Sequence, residues 1–345
     1  MKILADADLP YLSQCFPKPF EIATYKSHQE LQKLLPSHDV LLCRSTLRVN
    51  QALLENSRIQ CVATASSGTD HIDQEYLKSQ YIHLIDAKGS NAHAVADYVT
   101  ASIAWLETHR KIAGKMAGLI GAGAVGTQVL RRLSTAGYDV KIYDPFKLST
   151  GSVPHVDSLA ALSQCDLLCV HPNLHHCDPY PSANLINEAF LSTLKPGVAI
   201  INGSRGGVVN ERDLLGTHQP IHYCTDVFMG EPDIDPQIIN FATLCTPHIA
   251  GHSIEAKQRA IMQISEELHR LFSYPTPSVL NTTTEQDFDL TKITHWQTYV
   301  LNLYNPYEDT LILKTQMNKT TAFQTRRKAH THRHNFVNRT ELCYI

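Results

Sequence analysis

Short apolar runs alternate with stretches of helical periodicity over the first third of the chain. The apolar runs occupy residues 1–6, 39–43 and 59–65, and helical stretches at 29–35 and 50–56 lie between them. Buried strands that alternate with helices are typical of parallel strands joined by crossover helices. The pattern therefore predicts a parallel sheet that helices cover on both faces.

A long amphipathic helix and a second alternating series follow. Residues 91–110 contain few helix breakers and place an apolar stripe at Val95, Val99, Ile103 and Leu106. Further apolar runs predict strands at 116–121, 140–143, 167–170, 198–202, 223–227 and 243–246, before a helix at 254–272. The predicted fold class is α/β, with two doubly wound parallel-sheet domains, Rossmann-like or flavodoxin-like, and a cleft between them.

Composition narrows the classes of function. The chain has 345 residues, 43% of them apolar, which suits about two domains. Its net charge of −3 provides no basic field for nucleic acid or an anionic membrane. No apolar run reaches the roughly 18 residues of a membrane span, and the acidic start does not resemble a signal peptide. The nine scattered cysteines predict reduced core thiols in a cytoplasmic protein.

A glycine-rich turn follows the strand predicted at 116–121. Gly121, Gly123 and Gly126 match the GxGxxG spacing, and a helical stretch follows them. In this context the first glycine permits a tight turn, the second admits a pyrophosphate, and the third lets helix and strand pack closely. Asp144 lies 18 residues beyond Gly126, where an acid binds ribose hydroxyls and repels a 2′-phosphate. The sequence therefore predicts NAD as the cofactor; the alternative is a turn that serves packing alone.

Three ionisable side chains of complementary type follow three successive strands. Arg205, Glu231 and His248 each come just after a predicted strand, and ligands bind at the carboxyl ends of parallel strands. Oxidation of a hydroxy acid needs a cation for the carboxylate, a base for the hydroxyl proton, and an acid that orients the base. Each residue alone has an ordinary structural explanation, as a surface arginine, a turn acid or a capping histidine. Their combination after a nucleotide-binding turn predicts catalysis.

These motifs resemble those of the D-isomer-specific 2-hydroxyacid dehydrogenase family. The similar strings lie at 121–126, 202–211, 226–232 and 246–251, and their order and spacing extend over residues 1–275. The resemblance implies that Arg205 binds substrate and that Glu231 is paired with a catalytic His248. It also implies further cofactor contacts at Val125, Pro172, Asp226 and Gly251. Of these, Asp226 would lie near the nicotinamide.

Additional strings resemble one member of this family, which acts on a phosphorylated substrate and has a dimerisation domain of its own. They lie at 1–6, 44–50, 64–73, 304–310 and 323–336. The resemblance implies NAD-dependent oxidation of 4-phospho-D-erythronate at its C2 hydroxyl, in vitamin B6 biosynthesis, by a homodimer. The implied substrate contacts are Arg44, Ser45, Ser66, Ser67, Gly68 and His252, which stands where that member has a tyrosine.

The same resemblance implies a division of the chain into three parts. Residues 1–92 and 255–280 are expected to form a substrate-binding domain, and residues 93–254 an NAD-binding Rossmann domain. Residues 281–345, where the sequence becomes polar, then aromatic, then basic, are expected to form a small α+β dimerisation module. This module is expected to be shorter than its counterpart in that member.

A histidine cluster and the basic tail have competing interpretations. The histidines at 171, 175 and 176 lie in a proline-rich loop rather than on a helix, so no metal site is predicted. Within the main body, Arg205 and Arg44 are the cations predicted to meet the carboxylate and phosphate of the substrate. The tail cations Arg326, Arg327, Lys328 and Arg333 are therefore predicted to reach the substrate of a neighbouring subunit, with a solvated surface as the alternative.

Two other functions fit the same residues. One is a sister dehydrogenase that acts on 3-phosphoglycerate or another simple D-2-hydroxy acid. The other is an NAD-sensing, corepressor-like protein without enzymatic activity, because such proteins can keep the arginine, glutamate and histidine. A substrate panel separates the first alternative, and production of NADH excludes the second.

Overall fold

The chain forms part of one unit, builds most of a second, returns to the first and ends in the second. The computed structural model describes residues 1–112, 114–147, 153–277, 288–330 and 333–337. The first unit comprises Met1–Asn91 and Ser253–Glu285, and the second comprises Ala92–His252 and Gln286–Ile345. Each unit has its own parallel sheet; strands and helices are numbered in chain order.

The first unit is built on a five-stranded parallel sheet. Its strands are β1 Lys2–Asp6, β2 Glu21–Tyr25, β3 Val40–Cys43, β4 Cys61–Thr64 and β5 His83–Asp86. The strand order is β2-β1-β3-β4-β5, so the direction of winding reverses between β1 and β3, where ligands of such sheets bind. The helices are α1 Leu12–Cys15, α2 His28–Leu34, α3 Gln51–Leu54, α4 Gln74–Ser79 and, after the return, α10 Ile254–Leu271, with a 3-10 turn at Leu35–Ser37.

The central strands of this sheet are the ones that the apolar runs predict. β1, β3 and β4 are buried almost throughout, and a strand buried on both faces needs a continuous apolar run. The edge strands β2 and β5 read EIATY and HLID, and Tyr25 is the one buried residue among these nine. Their mixed polarity is the reason that the apolar pattern misses them.

The second unit has a six-stranded parallel sheet, as the six apolar runs predict. Its strands are β6 Met116–Ile120, β7 Asp139–Tyr143, β8 Leu167–Val170, β9 Val198–Asn202, β10 Ile221–Thr225 and β11 Leu244–Cys245. The order is β11-β10-β9-β8-β6-β7, which reverses between β6 and β8. The helices are α5 Ala92–His109, α6 Ala124–Thr135, α7 Glu188–Leu191, α8 Glu211–Gly216, α9 Pro236–Phe241, α11 Trp296–Leu303, α12 Pro306–Thr315 and α13 Lys319–Ala329, with 3-10 turns at Leu159–Leu162 and Leu290–Lys292.

Helix α5 is buried on all sides rather than along one stripe. The predicted apolar positions are buried, but so are most other positions of the helix as far as Leu106. Asp97 is among them, with no exposed surface. An acid at such a place needs partners inside the protein, because a buried charge is costly unless it is paired.

The C-terminal residues form a helical module that packs on α5. Phe288, Val300 and Phe336 share one apolar cluster with Ala101 and Ala104 of α5. The sequence predicts an α+β module, whereas residues 288–330 and 333–337 contain helices and no strand. The module belongs to the second unit.

The cysteines are core thiols, as the sequence predicts. Eight of the nine lie in the described residues; seven of these are buried, and none of the eight forms a disulfide. Within the described ranges, every helix is too short or too polar to span a bilayer.

Candidate active site

The glycine-rich turn lies between β6 and α6, at the reversal of the second sheet. Gly121 has a φ of 85°, which favours glycine, and a Cβ atom there would lie 2.8 Å from the backbone nitrogen of Pro172. A Cβ atom at Gly126 would overlap the carbonyl oxygen of Gly121. At Gly123, by contrast, no described atom lies within 4 Å of an added Cβ. The turn therefore combines a tight bend, an open approach and close helix packing, as a dinucleotide-binding turn requires.

Asp144 binds the backbone of this turn. Its Oδ2 accepts the N–H of Ala122 at 2.8 Å, and its Oδ1 accepts the N–H of Phe146 at 3.1 Å. Lys147 donates from its amino group to the Ala122 carbonyl. No side chain of the described residues caps α6 at Gly123, so the first N–H groups of the helix face outward toward an anion. These residues fit a dinucleotide.

The other two predicted cofactor contacts near the turn flank it. Pro172 follows β8, with its backbone nitrogen against Gly121. Val125, in the first turn of α6, is half-buried and packs on the apolar cluster that contains α5.

A histidine and a glutamate form a hydrogen-bonded pair in the loops that follow β11 and β10. His248 Nδ1 lies 2.7 Å from Glu231 Oε2. The other carboxylate oxygen of Glu231 accepts the N–H of Phe228 at 2.8 Å, which fixes the carboxylate. The side chain of His248 is 34% exposed, so the imidazole is accessible while its partner is held in place.

The surroundings of Glu231 keep it ionised. Burial raises its pKa, but the charge of His248 and the hydrogen bond between the two lower it. The N–H of Phe228 and the positive charge of Arg327 act in the same direction. The pKa of the Glu231 carboxyl is therefore held below its ordinary value.

His248 has a backbone conformation that few side chains adopt, and Asp226 holds the loop around it. The φ of His248 is 56°, in the left-handed region. Asp226, directly after β10, accepts the N–H groups of Ile249 and Ala250, both at 2.8 Å. It also accepts the hydroxyl of Thr246 at 2.7 Å. The Asp226 carboxylate thus binds the chain on both sides of His248.

Burial raises the pKa of the Asp226 carboxyl to about 6, although His248 and the three hydrogen bonds favour its ionised form. Both oxygens of Asp226 serve the loop. The contact with the nicotinamide that the sequence implies stays a prediction.

Arg205 lies on a loop that packs directly against the loop after β10. Gly206 is so close to the carbonyl group of Phe228 that an added Cβ would overlap it. Asn202 accepts the N–H and the hydroxyl of Ser204 at 3.1 and 2.8 Å and donates to the Arg205 carbonyl at 3.2 Å. The backbone of Arg205 is therefore fixed close to the loop that carries the acid.

A turn follows His248 and contains two of the predicted contacts, Gly251 and His252. The N–H of His252 donates to the carbonyl of Ile249 at 2.9 Å, with Gly251 inside the turn. The ring of His252 lies 5.9 Å from that of His330 in the C-terminal module. The site of the second unit therefore includes a contact with the tail.

In the first unit, the predicted phosphate contacts lie where β1 and β3 end, at the reversal of strand order. Arg44 follows β3, and its guanidinium pairs with Asp6 at 2.9 Å and with Asp8 at 2.7 Å. Ser45 is exposed in the next turn. The two acids orient Arg44 and compensate part of its charge.

Helix α10 adds a cation that the sequence analysis does not predict. Burial lowers the pKa of the Lys257 amine, Arg44 lowers it further, and Asp8 opposes both. The mutual repulsion indicates that Lys257 and Arg44 share one region of the first unit. Nothing marks Lys257 in the sequence, because a lysine on an amphipathic helix is usually solvated.

The turn after β4 carries the remaining predicted substrate contacts. Ser66, Ser67 and Gly68 are half-buried. The Ser67 hydroxyl lies 2.8 Å from Oδ1 of Asn91 and 3.1 Å from the carbonyl oxygen of Ala87. These contacts fix the turn against the segment that follows β5.

Comparison with known proteins matches this arrangement to one family. Residues 90–250 match the model of the D-isomer specific 2-hydroxyacid dehydrogenase NAD binding domain. A protein of Legionella pneumophila named erythronate-4-phosphate dehydrogenase is 52% identical over 98% of this chain and 96% of its own length. The chain belongs to the D-isomer-specific 2-hydroxyacid dehydrogenase family. A Pseudomonas putida protein of the same name is 37% identical to this dehydrogenase over 78% of the chain and 72% of its own.

A solved structure has the same fold. The NAD+-bound 3-phosphoglycerate dehydrogenase of Entamoeba histolytica superposes with a TM-score of 0.67 at 20% identity, over 82% of this chain and 99% of that one. The predicted fold class of two parallel-sheet α/β domains is confirmed. The cofactor prediction is also confirmed, since the matched domain of this dehydrogenase is an NAD-binding domain.

An acid near the pair of His248 and Glu231 has no predicted role. Glu211, the first residue of α8, accepts the N–H of Met229 at 2.9 Å. Burial raises the pKa of the Glu211 carboxyl to about 7; the Met229 N–H opposes this rise, and Asp235 and Glu231 add to it. In the sequence, an acid in the first turn of a helix has the ordinary interpretation of a helix-dipole partner.

Two tail cations of the dehydrogenase are engaged within the chain. Arg326 pairs with Asp309 at 2.5 Å. Arg333 donates to the carbonyl groups of Ala94 and Ala250 at 2.6 and 3.0 Å. These donors serve the chain itself, which favours an internal role for the two cations; that they reach the substrate of a neighbouring subunit stays a prediction.

The proline-rich loop with the histidines at 171, 175 and 176 does not form a metal site in the described residues. Among the described residues, no group of three or more His, Cys, Asp or Glu side chains is placed to hold a metal ion. Burial lowers the pKa of His171, beside Pro172, to about 3, so its ring is neutral in the cofactor-binding unit.

Proposed function

We propose that this chain is an NAD-dependent erythronate-4-phosphate dehydrogenase of vitamin B6 biosynthesis. It oxidises the C2 hydroxyl of 4-phospho-D-erythronate and yields (R)-3-hydroxy-2-oxo-4-phosphooxybutanoate. The 52% identity to the Legionella protein of that name supports the substrate. The structural observation that carries the reaction type is the 2.7 Å hydrogen bond between His248 and Glu231.

His248 is the proton acceptor of the proposed reaction. Because Nδ1 bonds to the Glu231 carboxylate, the neutral imidazole carries its proton on Nδ1 and offers the Nε2 lone pair to the C2 hydroxyl. The ionised Glu231 stabilises the imidazolium that forms as the proton arrives. When bound, NAD+ supplies the acceptor for the hydride that leaves C2. Loss of proton and hydride from one H–C–O–H group leaves the 2-oxo acid.

The glycine-rich turn would hold the cofactor. The amides at the start of α6 would bind the pyrophosphate above Gly123, and Asp144 would accept the hydroxyls of the adenosine ribose. Val125, Pro172, Asp226 and Gly251 are the further contacts that family membership supports.

The substrate binds through cations at both ends. Its carboxylate and phosphate carry about three negative charges at neutral pH. Arg205 binds the carboxylate and polarises the C2 oxygen, assisted by the turn at Ser66, Ser67 and Gly68, while Arg44, Ser45 and Lys257 receive the phosphate. His252 is the remaining substrate contact of the proposal.

The proposal extends to a cytoplasmic homodimer with a substrate domain at 1–92 and 255–280. The C-terminal module exposes large apolar side chains, Leu311 at 50% and Met317 at 99%, and exposed apolar side chains of this kind suit a subunit interface. Leu311→Glu should then shift the protein to a monomer in size-exclusion chromatography with light scattering. An unchanged dimer would place the interface elsewhere.

A substrate panel tests the function. The purified chain is given NAD with 4-phosphoerythronate, erythronate or 3-phosphoglycerate, and NADH absorbance is followed with a carbonyl trap that draws off the product. The highest kcat/KM should belong to 4-phosphoerythronate. A preference for 3-phosphoglycerate supports the sister-dehydrogenase alternative, and NAD binding without turnover of any acid supports the corepressor-like one.

His248→Ala tests the mechanism. Loss of a general base lowers rates by about 10²–10⁴-fold, so kcat should fall by that factor while the Kd for NAD stays near the native value. His218→Ala is the matched control, because His218 is an exposed histidine of the same unit. Near-native kcat in His248→Ala would assign the proton to another group.

A further inference from the structure

The loop at 246–252, called here the histidine loop, holds His248 in a strained conformation. A non-glycine residue in the left-handed region keeps that conformation only when its surroundings over-determine it. Asp226 supplies one support by accepting N–H groups of Ile249 and Ala250. A carboxylate can bind only the donors of the loop, so its carbonyl groups need a different partner.

Arg333 of the C-terminal module is that partner. Its guanidinium donates to the carbonyl of Ala250 at 3.0 Å and to the carbonyl of Ala94, in the first turn of α5, at 2.6 Å. It thereby joins the histidine loop to the most buried helix of the unit. The loop is held by an acid through its N–H groups and by a base through a carbonyl group.

The guanidinium of Arg333 is itself enclosed. It lies over the rings of Tyr304 and Phe336, at 5.0 and 5.6 Å from their centroids, and 3.9 Å from Oδ2 of Asp97. Its side chain is 8% exposed. A side chain enclosed by two rings, two carbonyl groups and a carboxylate is held in place, so its donor stays on the carbonyl of the histidine loop.

We propose that Arg333 is a positioning residue for the reaction: it fixes Ala250 and so holds the imidazole of His248 at the angle that proton transfer requires. This inference rests on the proposed role of His248. Misplacement of a reacting group by about 1 Å can cost about 10²-fold in rate. The family model matches up to residue 250, so Arg333 gives the catalytic loop a support from outside the matched domain.

Arg333→Met tests the inference, and Lys319→Met is its control. Lys319 is a matched control because it also donates to backbone carbonyls, those of Leu313 and Gln316 within the module. With 4-phosphoerythronate, kcat of Arg333→Met should fall about 10- to 100-fold, while KM and the Kd for NAD stay within about twofold. Lys319→Met should keep kcat within about twofold of native. Arg333→Lys keeps the charge and the donors but has a shorter reach and no planar guanidinium to pack between the rings, so its kcat should lie between those of the native protein and Arg333→Met.

Hydrogen exchange reads the loop without turnover. The amides of Ile249 and Ala250 should exchange faster in Arg333→Met than in the native protein or in Lys319→Met, because loss of the Ala250 carbonyl bond loosens the loop. Unchanged exchange at both amides in Arg333→Met overturns the inference.

The kinetic outcomes decide as well. A folded Arg333→Met with kcat within twofold of native, or an equal kcat loss in Lys319→Met, overturns the positioning role. Should Arg333→Met not fold, Arg333→Lys decides in its place, and a kcat within twofold of native overturns the role. If the native chain turns over none of the acids, the proposed function fails, while the exchange rates still decide whether Arg333 holds the loop.

Discussion

Three acids of the second unit have different roles, and the surroundings of each decide which role it has. Glu231 binds an imidazole, whereas Asp226 and Glu211 bind backbone N–H groups of the loops that carry His248 and Glu231. The motifs predict Glu231 and His248, since each follows a strand. They cannot predict the contact from Glu211 to the backbone of residue 229, because it joins the start of a helix to a loop 18 positions away.

Glu211→Gln should remove a pH dependence of stability. The pKa of this carboxyl is about 7 in the folded protein, against an ordinary 4.5. A raised pKa contributes stability that is full below the unfolded value and is lost as pH rises through the folded value. The glutamine variant keeps an acceptor for Met229 but does not titrate. As pH rises from about 4.5 to 7, its free energy of unfolding should therefore increase by on the order of 2 kcal/mol relative to that of the native protein, a value discounted for screening.

Urea denaturation across this range measures the gain. Glu188→Gln is the control, since Glu188 is an exposed acid in the first turn of α7. A parallel trend in both variants would contradict the assignment to Glu211.

Asp144→Asn should relax the choice of cofactor. The asparagine keeps one oxygen for the Ala122 or Phe146 amide but loses the charge that repels a 2′-phosphate. The ratio of kcat/KM for NAD to that for NADP should fall at least about tenfold, which corresponds to about 1.4 kcal/mol. Asp139→Asn is the control, because Asp139 is exposed at the start of β7, the strand that Asp144 follows; this variant should leave the ratio unchanged. Equal use of both cofactors by the native enzyme would remove the basis for this role.

At the scale of elements, burial decides what the sequence predicts. The central strands of both sheets are covered on both faces, and helix α5 is buried on all sides. These elements therefore need continuous apolar sequence, which makes their pattern unambiguous. The edge strands β2 and β5 carry polar residues on their open side, and their pattern is no different from that of a loop. The glycine-rich turn is predictable for another reason, since close approach and positive φ leave few residue types allowed.

Two alanine substitutions should separate packing from binding in the glycine-rich turn. Gly126→Ala forces a methyl group onto the Gly121 carbonyl and should destabilise the unit by about 1–3 kcal/mol, as overpacking does. Gly123 has a φ of −69°, which alanine tolerates, and open space around it. Gly123→Ala should therefore keep the fold within about 1 kcal/mol.

Gly123→Ala should instead raise the Kd for NAD by more than about tenfold, because the added methyl group occupies the space through which the pyrophosphate approaches the backbone. Thermal unfolding and fluorescence titration measure the two effects. Native affinity in Gly123→Ala would mean that the cofactor does not pass over this glycine.

At the scale of the molecule, one buried carboxylate ties the C-terminal module to its unit. Asp97 pairs with Arg132 of α6 at 2.9 Å and accepts the N–H of Phe336 at 2.8 Å. Arg132 also donates to the carbonyl of Phe288 at 3.3 Å. The polar stretch at 281–285 suggests a linker and hence a separate module. An acid inside an apolar helix shows that a partner exists but not where it lies in the sequence.

Asp97→Asn should therefore destabilise the second unit strongly. It leaves the buried Arg132 without its counter-charge, and breaking a buried pair costs about 3–5 kcal/mol. Lys292→Gln is the control, because Lys292, which pairs with Asp289 at 3.6 Å, is exposed, and loss of such a pair should leave the stability nearly unchanged. Urea denaturation measures both, and similar small losses would show that the module does not depend on Asp97.

Each unit of this enzyme can complete its fold only late in synthesis, because each contains contacts between residues that lie far apart in the chain. The first unit takes Ile261 and Ile264 of α10 into the same core as Ile3 of its first strand. In the second unit, Phe336 bonds to Asp97, which lies 239 positions earlier. Contacts this distant form only after the intervening chain has left the ribosome, and until then the apolar sheets lie open to aggregation. A nascent chain that stops before α10 should complete neither unit, so translation of this dehydrogenase should depend on chaperones that shield unfinished sheets.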